Sequence, residues 1–155
     1  MDTSRLTEKS QEALAMAQSV ASRIGHVELD AEHLLAALLD QTDGLVARLL
    51  ERLGVKPSEL RSRTMDDLER RPRVGGPGAE LGKVYVSQRL GRVLGRAEDE
   101  AKRLKDDYIS VEHLFLGLLD EGLKGPAADM LKQAGVTRDR FLEVLADVRG
   151  NQRVT

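Results

Sequence analysis

The stretch Asp30-Ala-Glu-His-Leu-Leu-Ala-Ala-Leu-Leu-Asp40 recurs 80 residues later as Ser110-Val-Glu-His-Leu-Phe-Leu-Gly-Leu-Leu-Asp120. Glu32 answers to Glu112, His33 to His113, and Leu38-Leu39-Asp40 to Leu118-Leu119-Asp120. Each copy opens on a residue suited to an N-cap, Asp30 or Ser110, whose side-chain oxygen can accept a free first-turn N–H. Glu32 and Glu112 then fall in the first turn, where the positive end of the helix dipole favours a carboxylate. The leucines that follow keep the i, i+3/i+4 spacing of a buried face. Loss of either cap, Asp30→Ala or Ser110→Ala, is expected to cost a similar amount, about 1 kcal/mol.

Working outward, the flanking segments repeat in the same order. A helix over 7–25 is capped by Thr7 and stopped by Gly25, with Leu6, Ala13, Leu14, Ala17, Ala21 and Ile24 on one face. After the first motif helix, at about 30–41, Gly44 precedes a third helix that stops at Gly54. Pro57 opens a fourth through about Arg70. In the second copy Ser87 takes the place of Thr7, and Leu90, Val93, Leu94, Ala97, Ala101 and Leu104 form the apolar face. The second motif helix spans about 110–121. Gly125-Pro126 starts the next helix, which ends at Gly135, and Thr137 caps the last, with Phe141, Leu142, Leu145 and Val148 apolar.

Residues 71–86 carry turn residues and no periodicity, and read as the link between copies, with Val84-Tyr85-Val86 briefly extended. The fold expected is all-α: two four-helix units related by a pseudo-two-fold and packed as one compact domain. Each unit alone would be marginal. Packed together they create a groove that neither has by itself.

The chain has 155 residues, no cysteine, 24 basic and 26 acidic residues and a net charge of −2. Without cysteine there is neither a disulfide nor a thiol nucleophile. The mixed charge is no basic footprint for nucleic acid, and four aromatic residues make no base-stacking platform. No apolar run reaches the ~18 residues of a membrane span, and the N-terminus lacks a signal-peptide pattern, so the cytoplasm is the default location. Gly82-Lys83-Val84 lacks the hydroxyl and the first glycine of a phosphate loop. His26, His33 and His113 lack the two-histidine spacing of a helical zinc site and read as helix-start or core residues, so no metal is expected. No nucleophile, base and orienter set emerges. Gly91 and Gly95 lie in a helix interior, where each costs about 1 kcal/mol relative to Ala; close helix packing or an opening against the groove could explain them.

The doubled Glu-His-Leu-Leu/Phe motif, each copy behind a helix opened by Thr7 or Ser87, resembles the Clp N-terminal domain, which precedes the ATPase modules of bacterial Clp AAA+ unfoldases. Arg5-Leu-Thr-Glu-Lys-Ser-Gln-Glu-Ala-Leu14 and Gly25-His26 fit it closely. Arg70-x-Pro72-x-Val74-x-Gly76 is similar to the disaggregase branch of that family rather than to the branch that serves a protease. The resemblance implies one domain over 1–150 (first repeat 1–70, link 71–86, second repeat 87–150), with 151–155 beginning the linker toward an ATPase module.

It implies a non-catalytic substrate-binding domain that holds unfolded or aggregated polypeptides and passes them to a homohexameric ATPase ring; the doubled helical pattern with no heptad seam points to a monomer. A DnaK-type chaperone system would assist. ATP and magnesium would belong to the ring and no cofactor to the domain. The family's substrate groove maps onto Thr7, Leu94, Asp106 and Glu112, with Glu32 and Ser87 as a pseudo-symmetric second set. Glu100 and His113 stand where members often carry apolar residues, which implies a more polar groove here. A protease-serving domain that docks adaptors or takes phosphorylated arginine on Glu32 and Glu112, and a free-standing accessory protein, are the alternatives.

Overall fold

The computed structural model describes residues 3–41, 43–73, 84–150 and 154. Among them are eight α-helices: α1 (Glu8–Ile24), α2 (Ala31–Asp40), α3 (Leu45–Arg52) and α4 (Pro57–Arg70) in the first copy, and α5 (Gln88–Arg103), α6 (Val111–Leu118), α7 (Pro126–Gln133) and α8 (Arg138–Arg149) in the second. Much of the expected link, 74–83, lies outside the described residues, as do 151–153 and 155.

The two motif helices sit at the centre because they have no polar face to spare. Every residue of α6 and every residue of α2 except Asp40 is buried. α2 packs against α6, α1 and α4 flank α2, and α5 lies along α6. One apolar cluster runs through both copies, from Ala13 and Leu34 to Phe115 and Phe141. Phe115 and Phe141 are both fully buried, with ring centroids 4.8 Å apart. Neither copy therefore has a closed core of its own, as expected for units this small.

The copies are also interlaced. The extended residues that enter each α-hairpin pair with the other copy, not with their own. β1 (Glu28–Leu29) runs parallel to β2 (Tyr85–Val86). Its counterpart is the parallel bridge Leu6 to Ile109. The hydrogen bonds match across the dyad: Ser87 N–H donates to Leu29 O at 2.9 Å, and Thr7 N–H donates to Ile109 O at 3.0 Å. The expected extension at 84–86 is thus a strand whose partner lies in the first copy.

Helix ends follow local chemistry. Thr7, Ser87 and Thr137 accept first-turn N–H groups from Ser10, Leu90 and Arg140. Gly25 ends α1 at φ 91, whereas its counterpart Lys105 takes φ 61 with a side chain present. Gly91 and Gly95 disagree with the close-packing expectation: a Cβ at either would meet nothing within 4 Å. The close approach is at Gly117, where a Cβ would collide with Val93 O and lie 3.0 Å from Val93 Cγ1.

Candidate functional site

Both motif helices begin with the same device. His33 and His113 stand at the third helical position, where a capping box usually has Glu or Gln. Their Nδ1 atoms accept the N–H of Asp30 at 2.9 Å and of Ser110 at 2.8 Å. Each ring therefore carries its proton on Nε2 and donates it onward. In the first copy the acceptor is His26 Nδ1, 2.8 Å away. In the second it is Asp106 Oδ2, at 2.7 Å. His26 and Asp106 are themselves an 80-residue pair. The histidines are thus helix-start and core residues, as their sequence positions suggest, and their spacing of three from the cap is the signal for the capping role.

The acids differ more. Glu32 is fully buried and clamped. Arg71 Nη2 and Arg89 Nη2 both donate to Oε1, and Ala127 N–H, in the first turn of α7, donates to Oε2 at 2.9 Å. Asp30 beside it accepts from Ala31 N–H and Ser87 Oγ at 2.8 Å each, and from Arg71 and Arg89. Burial pushes the Asp30 carboxyl up, but these donors outweigh it and hold it below the usual carboxylate range. Arg71 is shifted upward in turn: its burial is outweighed by Glu32, Asp67 and Asp30. The second set, Glu32 with Ser87, is thus assembled, and it is filled by the chain's own guanidinium groups.

Glu112 is 3% exposed and has no cation among the described residues; the hydroxyl of Ser110 is its hydrogen-bond partner. It lies buried behind Ser110, whereas the resemblance implied a groove residue. Lys9, the counterpart of Arg89, turns instead to Glu12 at the surface, 3.2 Å away. Where Arg89 fills the first junction, a groove of about 710 Å³ is open at the second. Thr7, Leu45, Ser110 and Val111 line it, together with the charged side chains Glu8, Lys9, Asp43 and Arg48. Its rim carries both signs of charge, so the polarity lies in the mixture and not in acid alone.

Asp106 is buried between three donors: Arg149 Nη2 at 2.6 Å, Val154 N–H at 2.8 Å and His113. Burial works to raise its carboxyl, and those donors hold it well below the ordinary value. Leu94 is half-buried and packed on the core, and is not among the lining of the groove at Thr7. Glu100 does not make the groove polar either. It is fully buried under Arg138 at 2.8 Å and Arg103 at 3.1 Å, where the first copy has Val20. His113 is likewise fully buried. Among the described residues no group of three or more His, Asp or Glu is placed to hold a metal, and no helix is long and apolar enough to cross a membrane.

The chain is 50% identical over all 155 residues to the chaperone protein ClpB of Nitratidesulfovibrio vulgaris, and 43% identical over the same length to that of Bacillus cereus; it spans 18% of each of those proteins. Among solved structures it is similar to the Hsp104 N-terminal domain from Candida albicans (TM-score 0.79, 23% identity, 96% of this chain and 94% of that one). It is also similar to the N-terminal domain of the ClpV1 ATPase from E. coli (TM-score 0.78, 21% identity, 95% and 87%). Those two likenesses bear on the fold. The family model described as the Clp repeat N-terminal domain matches residues 5–134, and with relatives at this identity the chain belongs to the Clp N-terminal domain family, in its ClpB-like part.

Proposed function

We propose that the domain binds unfolded or aggregated polypeptide in the groove between Thr7 and Ser110, for transfer to the ATPase ring of a ClpB-like disaggregase. The observation that carries the reading is the inequality of the two junctions: one is filled by Arg89 and Arg71, and the other is open at Ser110, behind which lies a buried carboxylate with no cation among the described residues. A burial of that kind is costly unless a partner arrives. An extended client segment fits, with apolar side chains against Leu45 and Val111 and a basic side chain directed past Ser110 toward Glu112. Ordering an unfolded chain offsets much of what burial supplies, so binding is weak and release to a motor is easy. Thr7 and Glu112 contact the client in this reading. Asp106 acts by holding His113 and through it Ser110, and Leu94 acts by packing. The Arg-filled junction at Glu32 and Ser87 serves as a structural joint and not as a second client site. The 82% of the relatives' length outside the match would supply ATP and magnesium chemistry, hexamer formation and any contact with a DnaK-type partner.

The test is fluorescence anisotropy with a labelled, permanently unfolded casein, with thermal melts alongside. Leu45→Gln and Glu112→Ala are expected to weaken binding while melting near the parent. The Glu112 effect should change little with salt, because a buried charge is screened much less than an exposed one. Two variants that melt normally and bind like the parent would remove the groove from the argument.

A further inference from the structure

Both walls of the groove hang on one segment, 106–110. Ile109 O accepts Thr7 N–H at 3.0 Å and the Ser10 hydroxyl at 2.9 Å, and Ile109 N–H donates to Arg5 O at 2.8 Å. The other wall, Ser110, is fixed through His113 to Asp106. Among the described residues, Val154 seals the outer edge of the same segment. Val154 O accepts Asp107 N–H at 2.7 Å and Tyr108 N–H at 3.4 Å, while Val154 N–H donates to Asp106 Oδ1 at 2.8 Å. Val154, Asp106, His113 and Ser110 are therefore linked by hydrogen bonds in series, ending at Glu112. In the first copy His26 stands where Asp106 does, so the line from His33 runs to a second imidazole and not to a carboxylate.

We propose that the seat of Val154 and the groove are thermodynamically coupled, with Asp106 as the joint. The inference rests on the groove reading above. With Val154 seated, Asp106 has all its donors, His113 is fixed and both walls are in place. With Val154 withdrawn, a buried carboxylate loses a donor and two backbone N–H groups lose their acceptor, a state that Asp106 and its neighbours relieve by moving. By linkage, whatever holds Val154 on its seat tightens the groove, and an occupied groove holds Val154 more firmly by the same factor. In the relatives the matching region is followed by the rest of the protein, so this seat lies where the state of that remainder would be felt by the client.

The experiment uses the whole 155-residue chain. Val154→Pro removes the N–H and keeps the C=O; Val154→Ala keeps both. Amide exchange is read at Thr7 and Ser110, and affinity is read with fluorescein-labelled unfolded casein. Val154→Pro is expected to speed exchange at both walls and to weaken casein binding, each by about fivefold, the worth of one such hydrogen bond. Val154→Ala is expected to match the parent. Unchanged exchange at Thr7 and Ser110 in Val154→Pro overturns the coupling without touching the groove. So does unchanged casein affinity. A parent that fails to bind casein sinks the groove reading, and the ligand side of the coupling with it.

Discussion

The two motif-helix starts are built to one plan and finished with opposite chemistry. In the first copy the histidine donates to another histidine, and the acids are saturated by Arg71 and Arg89. In the second the histidine donates to an aspartate, and Glu112 has a hydroxyl for a partner. The plan explains why the helices begin at the same register. The finish explains why one junction is closed and the other open. A duplicated unit can keep its core while its two ends diverge, since the leucines fix the packing and the residues around the cap decide only what fills the junction.

The sharpest way to break the comparison is to remove the two acids in turn. Glu32→Ala takes from Arg71 and Arg89 one of the carboxylates that hold them and leaves the Ala127 N–H without its acceptor; breaking a buried pair typically costs up to about 3–5 kcal/mol. Glu112→Ala loses one hydrogen bond and also relieves the burial of a carboxylate, so its cost should stay within about 1 kcal/mol. Urea midpoints of the two variants measure the difference. Equal losses would mean that Glu112 is held by something as strong as the arginine clamp. The caps follow the same division: Asp30 holds four partners, so Asp30→Ala should cost more than Ser110→Ala, against the equal losses that N-cap chemistry alone suggests.

The histidine acceptors give a pH signature. Burial, then His26 and Arg71, lower the His33 pKa from 6.5 to about 4, and burial followed by Arg71 lowers that of His26. A base whose folded pKa is depressed binds fewer protons folded than unfolded. Its contribution is therefore present above pH 6.5 and is lost as the pH falls toward about 4. Over that window His33 alone removes roughly 3 kcal/mol, at about 1.4 kcal/mol per unit. Asp106, with its depressed carboxyl, contributes above its unfolded pKa near 3.8 and is lost only below that. The sharpening variant is His26→Asp, which copies the second copy's pair into the first. Its stability should be nearly flat between pH 6.5 and 4. A parent-like slope in that variant would show that His33 is not the group that titrates.

Much of this fold was legible because its signals are local or periodic. The motif repeat, the caps at Thr7, Ser87 and Thr137 and the stops at Arg70 and Gly25 all come from residues next to the feature they control. The interlaced pairing of Leu6 with Ile109 and of β1 with β2 was not legible, since two-residue strands carry no periodicity. Lys105 at φ 61 was hidden because nothing in its type announces a left-handed residue. At the site, Thr7 lines the groove as mapped, but Glu112, Asp106 and Glu100, taken as groove groups, are buried. Sequence shows a carboxylate; only the fold shows that Arg149, Arg138 or Ser110 has already taken it.

A smaller contrast lies in the cores. Where the first copy has Ala13 and Ala37, the second has Val93 and Gly117, which exchanges bulk between α5 and α6. Gly117→Ala should cost about 1–3 kcal/mol by overpacking. Val93→Ala in the same chain should recover only part of that, because the backbone O of Val93 also blocks the added methyl. Full recovery in a double-mutant cycle would place the whole conflict on the side chain.

The smallest effect is opposite in sign and falls on the neighbouring face of α5. Gly91 and Gly95 are exposed and meet nothing that a Cβ would touch, and neither has a positive φ. No packing argument keeps them, so the ordinary cost of glycine in a helix interior should be recoverable. Gly91→Ala and Gly95→Ala are each expected to stabilise the domain by up to about 1 kcal/mol, partly through the unfolded chain's lost freedom. The two should add, because their side chains would not touch any shared partner. Thermal melts of the singles and the double settle it. If either variant melts below the parent, α5 is not the undisturbed helix that its open surface implies, and its glycines serve a bend or a contact made only when the domain is at work.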